Sequence, residues 1–253
     1  MTFLVLIDSF ENKQKIVNNL IEISEFEGWS DYSLRLAFNK SQVDEKYLDI
    51  IFENKIFSAI EFITELRLKN LLELCKTSSE FSSKKISDKI ALALFNFLDL
   101  DKNNKVSFKR LVNFYINPQN LIFYKNFGLK PTKVAFSQSY RVADFIWNLC
   151  GDQSTDFNFF SKRMILSKIV IRSFVYFVND NSLNSCATKN FIEQQILKVL
   201  KFNKYKNISK QKFSFLKNKL DEILLEQNNY PKKMSNLLSE IPFIRLIKKN
   251  HFK

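Results

Sequence analysis

The stretch Trp147-Asn-Leu-Cys-Gly-Asp-Gln-Ser-Thr-Asp-Phe-Asn-Phe-Phe-Ser-Lys-Arg163 joins two long apolar segments and decides how they fold against each other. Gly151, one of only three glycines in the chain, suits the left-handed position that closes a helix. Ser154, Thr155 and Asp156 are residue types that cap the start of the next helix. Asp152 and Asp156 can be read as an acid/base pair or as caps. No nucleophile accompanies them, which favours caps. Phe157, Phe159 and Phe160 then fall in one helical turn, and a single helix face cannot turn all three inward. The segment thus predicts a helix stop, a helix start and aromatics left for a partner, with Phe157 the one to turn inward.

Working outward, Pro131 precedes a helix over Thr132–Leu149, and Phe157–Val178 forms a second. The latter is apolar on most sides, with a narrow polar stripe at Ser161, Lys168 and Arg172, which belongs in the middle of a bundle. Upstream, residues 11–26 predict a helix with Ile16, Leu20 and Ile23 on one face, broken at Gly28. Ser30 or Asp31 caps a short helix carrying Leu34, Leu36 and Phe38. Ser41 opens a third, with Val43, Leu48, Ile51 and Phe52, able to continue into a long helix that reaches about Cys75. Thr77–Lys85 reads as a loop, Ile86–Leu98 and Phe108–Ile116 as helices around the polar segment Asp99–Lys105, and Pro118 as a stop. Beyond the turn at Asn179–Ser185, Asn190–Phe202 is helical. Residues 209–227 form an amphipathic helix against a lysine-rich face, and Tyr230–Lys253 is a basic, apolar tail. Three glycines and four prolines are too few for the tight turns of a sandwich or barrel, so the fold class is all-α.

Composition narrows the function. The net charge of +13 invites a nucleic-acid reading, but arginine, the residue of forked phosphate and guanine recognition, occurs only at positions 35, 67, 110, 141, 163, 172 and 245. Diffuse lysine charge suits an anionic membrane surface at least as well. Cys75, Cys150 and Cys186 are odd in number and scattered, which argues against a disulfide framework or a zinc site and for a reducing cytoplasm. His251 is the single histidine, so most histidine-dependent catalysis is excluded and no metal site or cofactor is expected. The N-terminus lacks the pattern of a signal peptide, and Met164–Val178 is interrupted by Lys168 and Arg172, so no transmembrane segment is expected. Asp99-Leu-Asp101-Lys-Asn103 imitates the start of a calcium loop, but Asn104 replaces its glycine and Arg110 its bidentate glutamate.

Three short helices followed by a long one resemble the DNA-binding head of tetracycline-repressor-type regulators. The third of them carries Asp44, Glu45, Asp49 and Glu53 against Lys46, a charge pattern that would repel phosphates. A repressor-like regulator that senses a lipophilic ligand and binds DNA is the alternative function. A plain helical interaction protein without a cavity is a third.

Ala143-Asp-Phe-Ile-Trp147, then Gly151-Asp-Gln-Ser-Thr-Asp-Phe-Asn158 and Ser161-Lys-Arg163, closely resemble the signature of the coenzyme Q biosynthesis protein 9 family. Tyr176-Phe-Val-Asn-Asp180 and Asn190-Phe-Ile with Ile196 resemble its following segments, and the likeness covers roughly residues 86–202. The resemblance implies a tetracycline-repressor-like helical bundle that no longer binds nucleic acid. It implies a non-enzymatic, homodimeric, peripheral membrane protein, cytoplasmic and on the inner face of a bacterial cell membrane. Such a protein presents a lipid or polyprenylated quinone intermediate to demethoxyubiquinone hydroxylase during ubiquinone biosynthesis. Phe159 and Phe160 match a Trp-Tyr pair that contributes to the partner-binding surface; without the Trp N–H and Tyr O–H, that contact would be purely apolar.

The expected organisation is a degenerate helix-turn-helix-like head over 1–55, a ligand-binding bundle over 56–207, and a membrane-contacting helix and tail over 208–253. The lipid cavity is expected to be lined by Phe145, Ile146, Ile165, Ile169, Phe174, Phe177 and Phe191, and the membrane contact to use Lys212, Phe213, Leu216, Leu220 and Ile223.

Overall fold

A computed structural model describes residues 9–124, 131–154 and 157–204, and every regular element among them is helical. The helices are α1 (Phe10–Glu27), α2 (Asp31–Lys40), α3 (Leu48–Ile51), α4 (Ile56–Thr77), α5 (Ser79–Ser83), α6 (Ile86–Asp99), α7 (Lys105–Ile116), α8 (Pro118–Phe123), α9 (Pro131–Leu149), α10 (Phe157–Phe177) and α11 (Cys186–Lys204). The expected segment 209–227 and the tail, with Lys212, Phe213, Leu216, Leu220 and Ile223, lie outside the described residues.

Local chemistry sets most boundaries. Ser9 caps α1 by accepting from the Asn12 N–H at 3.2 Å, and Gly28 ends it at φ 76°. Ser30 caps α2 by accepting from the Ser33 N–H at 3.1 Å.

Two readings are corrected and a third is extended. Ser41 does not open a helix. It closes α2, with its N–H bonded to the Ala37 carbonyl at 3.0 Å, and Gln42 follows at φ 61°. The third element is then only a 3-10 turn at Glu45–Tyr47, started by Asp44 accepting from the Lys46 N–H, plus the single turn α3. Lys55, at φ 51°, separates it from α4, so the two are not continuous. The serine-rich loop contains α5, capped by Ser78 and held by the buried Phe81 ring. Pro118 stops α7 and also opens α8, at a first-turn position that needs no N–H, beside the capping Asn117.

One hydrophobic core runs continuously from Ile16 in α1 to Ile196 in α11. Helix α1 packs on α2, α4 and α7; α9 packs on α4, α7 and α10; α11 closes over α6 and α10. Each buried Leu, Ile or Phe contributes about 1.5–3 kcal/mol of transfer free energy, most of it offset by lost chain entropy. Buried polar groups are tied across helices: Ser24 Oγ meets Ser107 Oγ at 2.5 Å, and the Trp29 indole donates to the Ser107 carbonyl at 2.8 Å. Among the described residues, no helix is long and apolar enough to cross a membrane.

Candidate functional site

The α9–α10 corner is built as its glycine predicts. Gly151, at φ 81°, donates its N–H to the Asn148 carbonyl at 3.0 Å, and the Asp152 N–H reaches back to the Trp147 carbonyl at 3.0 Å. These paired bonds satisfy two of the carbonyls that every helix end leaves open. They also deliver Asp152 to the mouth of α10, where its carboxylate accepts from Ser154 Oγ at 2.6 Å, Lys162 Nζ at 2.6 Å and Arg163 at 3.0 Å. The cap reading of Asp152 is therefore corrected: its side chain is the hub of an ion-pair cluster. Burial pushes its pKa up, but the bonds from Lys162, Ser154 and Arg163 outweigh that and hold it at about 2. Asp156 lies outside the described residues.

Among the described residues, Arg163 is the largest fully buried side chain. Its guanidinium pairs with Asp144 and Asp152, donates to Asn148 Oδ1 at 3.1 Å and the Phe159 carbonyl at 3.2 Å, and lies 3.4 Å from the centre of the Phe159 ring. Lys162 sits 5.1 Å from the centre of the Trp147 ring. Most of the Ala143–Arg163 signature is accordingly spent on locking one helix to the next. Phe159 and Phe160 are half-buried, ring centres 5.1 Å apart at 77°. Phe159 already faces Arg163, which leaves Phe160 with the fewer internal duties. The side chain of Phe157 is outside the described set.

The Tyr176–Asp180 segment makes a second corner. Asp180 accepts from Thr188 N–H at 2.8 Å, Thr188 Oγ1 at 2.5 Å and Ser182 N–H at 2.8 Å, while Lys105 Nζ donates to its carbonyl at 2.7 Å. Burial raises the Asp180 pKa, and the bonds from Thr188 and Ser182 outweigh it, to about 2.

The seven expected lipid-lining residues do not surround one space. Ile146, Ile169 and Phe177 are buried core; Phe145 and Ile165 are half-buried against it. Phe191 stacks on Tyr176 at 4.5 Å in a surface groove with Arg172. Phe174 is the one of the seven that lines an apolar interhelical cleft.

That cleft lies between α4, α6, α7, α9 and α10, beside Trp29, and has a volume of about 110 Å³. Its walls include Ile63, Leu111, Val142 and Val170, with polar groups from Arg67, Gln138, Thr64 and Tyr115. Arg67 is ion-paired with Asp101 and flanked by aromatic rings, its guanidinium carbon 4.2 Å from the centre of Phe97 and 4.9 Å from that of Phe108. Asp101 thus belongs to a structural ion pair within the segment that imitates a calcium loop. Burial pushes its carboxyl up to about 6 against the pull of Arg67, and burial lowers the Arg67 pKa against the opposing pull of Asp101. Burial also drives the Tyr115 hydroxyl well above its ordinary range. Thr64 satisfies itself on the Ile60 carbonyl at 3.1 Å. Among the described residues, Arg67 Nε and Gln138 Oε1 are buried without a hydrogen-bond partner.

Sequence reasoning missed these groups, although a signal existed. Asp144, Asn148 and Asp152 are spaced by four and Arg163 follows them; Arg67 continues the apolar stripe of Ile60, Ile63 and Leu71.

The fold and site define an all-α protein with an arginine-locked corner beside an apolar interhelical cleft. Residues 132–203, which hold α9, the corner, α10 and most of α11, match the COQ9 family model. The probable ubiquinone biosynthesis protein coq9, mitochondrial, of Dictyostelium discoideum is 22% identical over 202 residues, which cover 78% of this chain and 62% of that protein. The chain spans somewhat less than two thirds of that relative's length.

Proposed function

We propose that the protein is a lipid-binding accessory factor of ubiquinone biosynthesis, which presents a polyprenylated quinone intermediate to demethoxyubiquinone hydroxylase and performs no chemistry itself. The observation that carries this reading is the apolar cleft, walled in part by α9 and α10 of the matched region, in a chain similar to a ubiquinone biosynthesis protein. The cleft, through Phe174, takes the place of the seven-residue cavity expected from sequence.

A polyprenyl tail is already apolar in the bilayer, so transferring it to protein gains little net free energy from hydrophobicity. The protein acts by positioning, with the exposed part of Phe160 as the hydrophobic contact for the hydroxylase. Lys212, Phe213, Leu216, Leu220 and Ile223 supply the contact with the membrane surface, and two copies associate as a homodimer. The DNA-binding alternative gains nothing from the fold: the third element of the head is a single turn beside an acidic run, too short for a recognition helix.

Deletion of the protein in its own host tests the role. Demethoxyubiquinone should accumulate at the expense of ubiquinone, and re-expression should reverse it. An unchanged quinone profile would overturn the reading.

A further inference from the structure

We infer that the cleft recognises the ring end of its ligand, an aromatic or quinonoid ring carrying oxygen substituents, with Arg67 Nε–H as donor to a ring oxygen and Gln138 Oε1 as acceptor from a ring hydroxyl. The inference rests on the lipid-binding reading and specifies what part of the lipid enters.

Size is the first support. Pockets that enclose a whole drug-sized ligand are roughly 300–1,000 Å³, and an engineered cavity of about 150 Å³ holds one benzene. At about 110 Å³, this cleft is of the size that takes a small ring and not a polyprenyl chain. The tail then lies outside the cleft.

Polar chemistry is the second support. Thr64 and Ser139 in the lining are satisfied on backbone carbonyls, but one donor and one acceptor are buried without partners among the described residues: Arg67 Nε on α4 and Gln138 Oε1 on α9, helices that pack on each other. Buried polar atoms are almost always hydrogen-bonded, so two unmet atoms of opposite kind on one cleft mark the place of a complementary ligand. Arg67 cannot turn away to find water, because Asp101 pairs with it and Phe97, Phe108 and Phe174 surround its guanidinium. Its donor is held in place before any ligand arrives. The same rings offer faces and edges to a planar guest.

Calorimetric titration with 2-methoxyphenol and with toluene, on the full chain, separates the ring-reading claim from simple apolar filling. Wild type should bind the phenol at least tenfold more tightly than toluene. Gln138→Leu should lose roughly tenfold for the phenol while toluene binding holds or improves, because only the hydrogen bond is removed. The paired replacement Arg67→Met with Asp101→Leu removes the donor without stranding a buried carboxylate, and should erase the rest of the preference. If toluene binds as well as the phenol, or if Gln138→Leu leaves the ratio intact, ring recognition is overturned while an apolar lipid site survives. If neither probe enters the cleft, ring recognition is again overturned, and retention of lipid in native mass spectra then decides the lipid-binding reading by itself.

Discussion

Arg163 shows how a motif that looks like a functional signature is also a structural device. Its charge is tolerated at full burial because Asp144, Asp152, Asn148 and the Phe159 carbonyl together satisfy the guanidinium. Replacing it by Met removes its charged hydrogen bonds to Asp144 and Asp152 while Lys162 and Ser154 still hold Asp152, so Arg163→Met should lower stability in urea titration by about 1.5–3 kcal/mol. A loss below about 1 kcal/mol would show that the cluster is dispensable. Phe159 shares this role, which makes Phe159→Ala a poor probe of partner binding. Phe160→Ala is the cleaner one: hydroxylase turnover should fall while the melting temperature stays close to wild type, and unchanged turnover would remove Phe160 from the partner surface. Gln138→Leu belongs at this scale too. Removing an unmet buried acceptor should leave the free protein as stable or about 1 kcal/mol more stable, as expected when a binding group is kept at the expense of stability. The residue roles were the least legible part of the sequence. Asp152 looked like a cap because spacing alone does not tell whether a carboxylate turns to the backbone or to Lys162 and Arg163.

Helix ends were legible where one residue decides them. Gly28 and Gly151 take positive φ, and Ser30 caps as its type predicts. Ser41 was misread, and the helices that begin at Ser78 and Pro118 were missed, because each residue type both ends and begins helices, and only the tertiary contacts choose. Phe81, for example, docks the turn that Ser78 caps. At Gly151 the requirement is conformational and not steric, since a Cβ there would meet nothing within 4 Å. Gly151→Ala should therefore cost about 1–2 kcal/mol through the left-handed backbone alone, and Gly151→Asn noticeably less. Equal stability of the alanine variant in urea titration would show that the corner does not need the left-handed turn.

At the scale of the whole molecule, the all-α class followed from the scarcity of glycine and proline, whereas the cleft could not be read from it. The cleft is assembled from five helices far apart in sequence, and the apolar residues that line it have the same periodicity as those that fill the core. Charge buried at the corners makes stability depend on pH. Asp152 and Asp180 have pKa values depressed from 3.8 to about 2, so the stability they supply is present above about pH 4 and lost as pH falls toward 2. Asp101 acts in the opposite sense. With its pKa raised to about 6, the folded state holds a proton that the unfolded state releases, so its contribution declines as pH rises from about 4 through 6. Urea midpoints should consequently rise between pH 2 and 4, and the decline above pH 4 should vanish in the Arg67→Met, Asp101→Leu variant. Persistence of that decline in the variant would locate it elsewhere.

Lipid held in the cleft is the claim on which function rests, and Ala135 offers a way to close that space from its half-buried wall. Native mass spectrometry of the purified full chain, wild type beside Ala135→Phe, measures it directly. Wild type should carry a co-purified quinone or other lipid, and the folded Ala135→Phe protein should have lost most of it; equal lipid on both, or none on wild type, would contradict a ligand in the cleft.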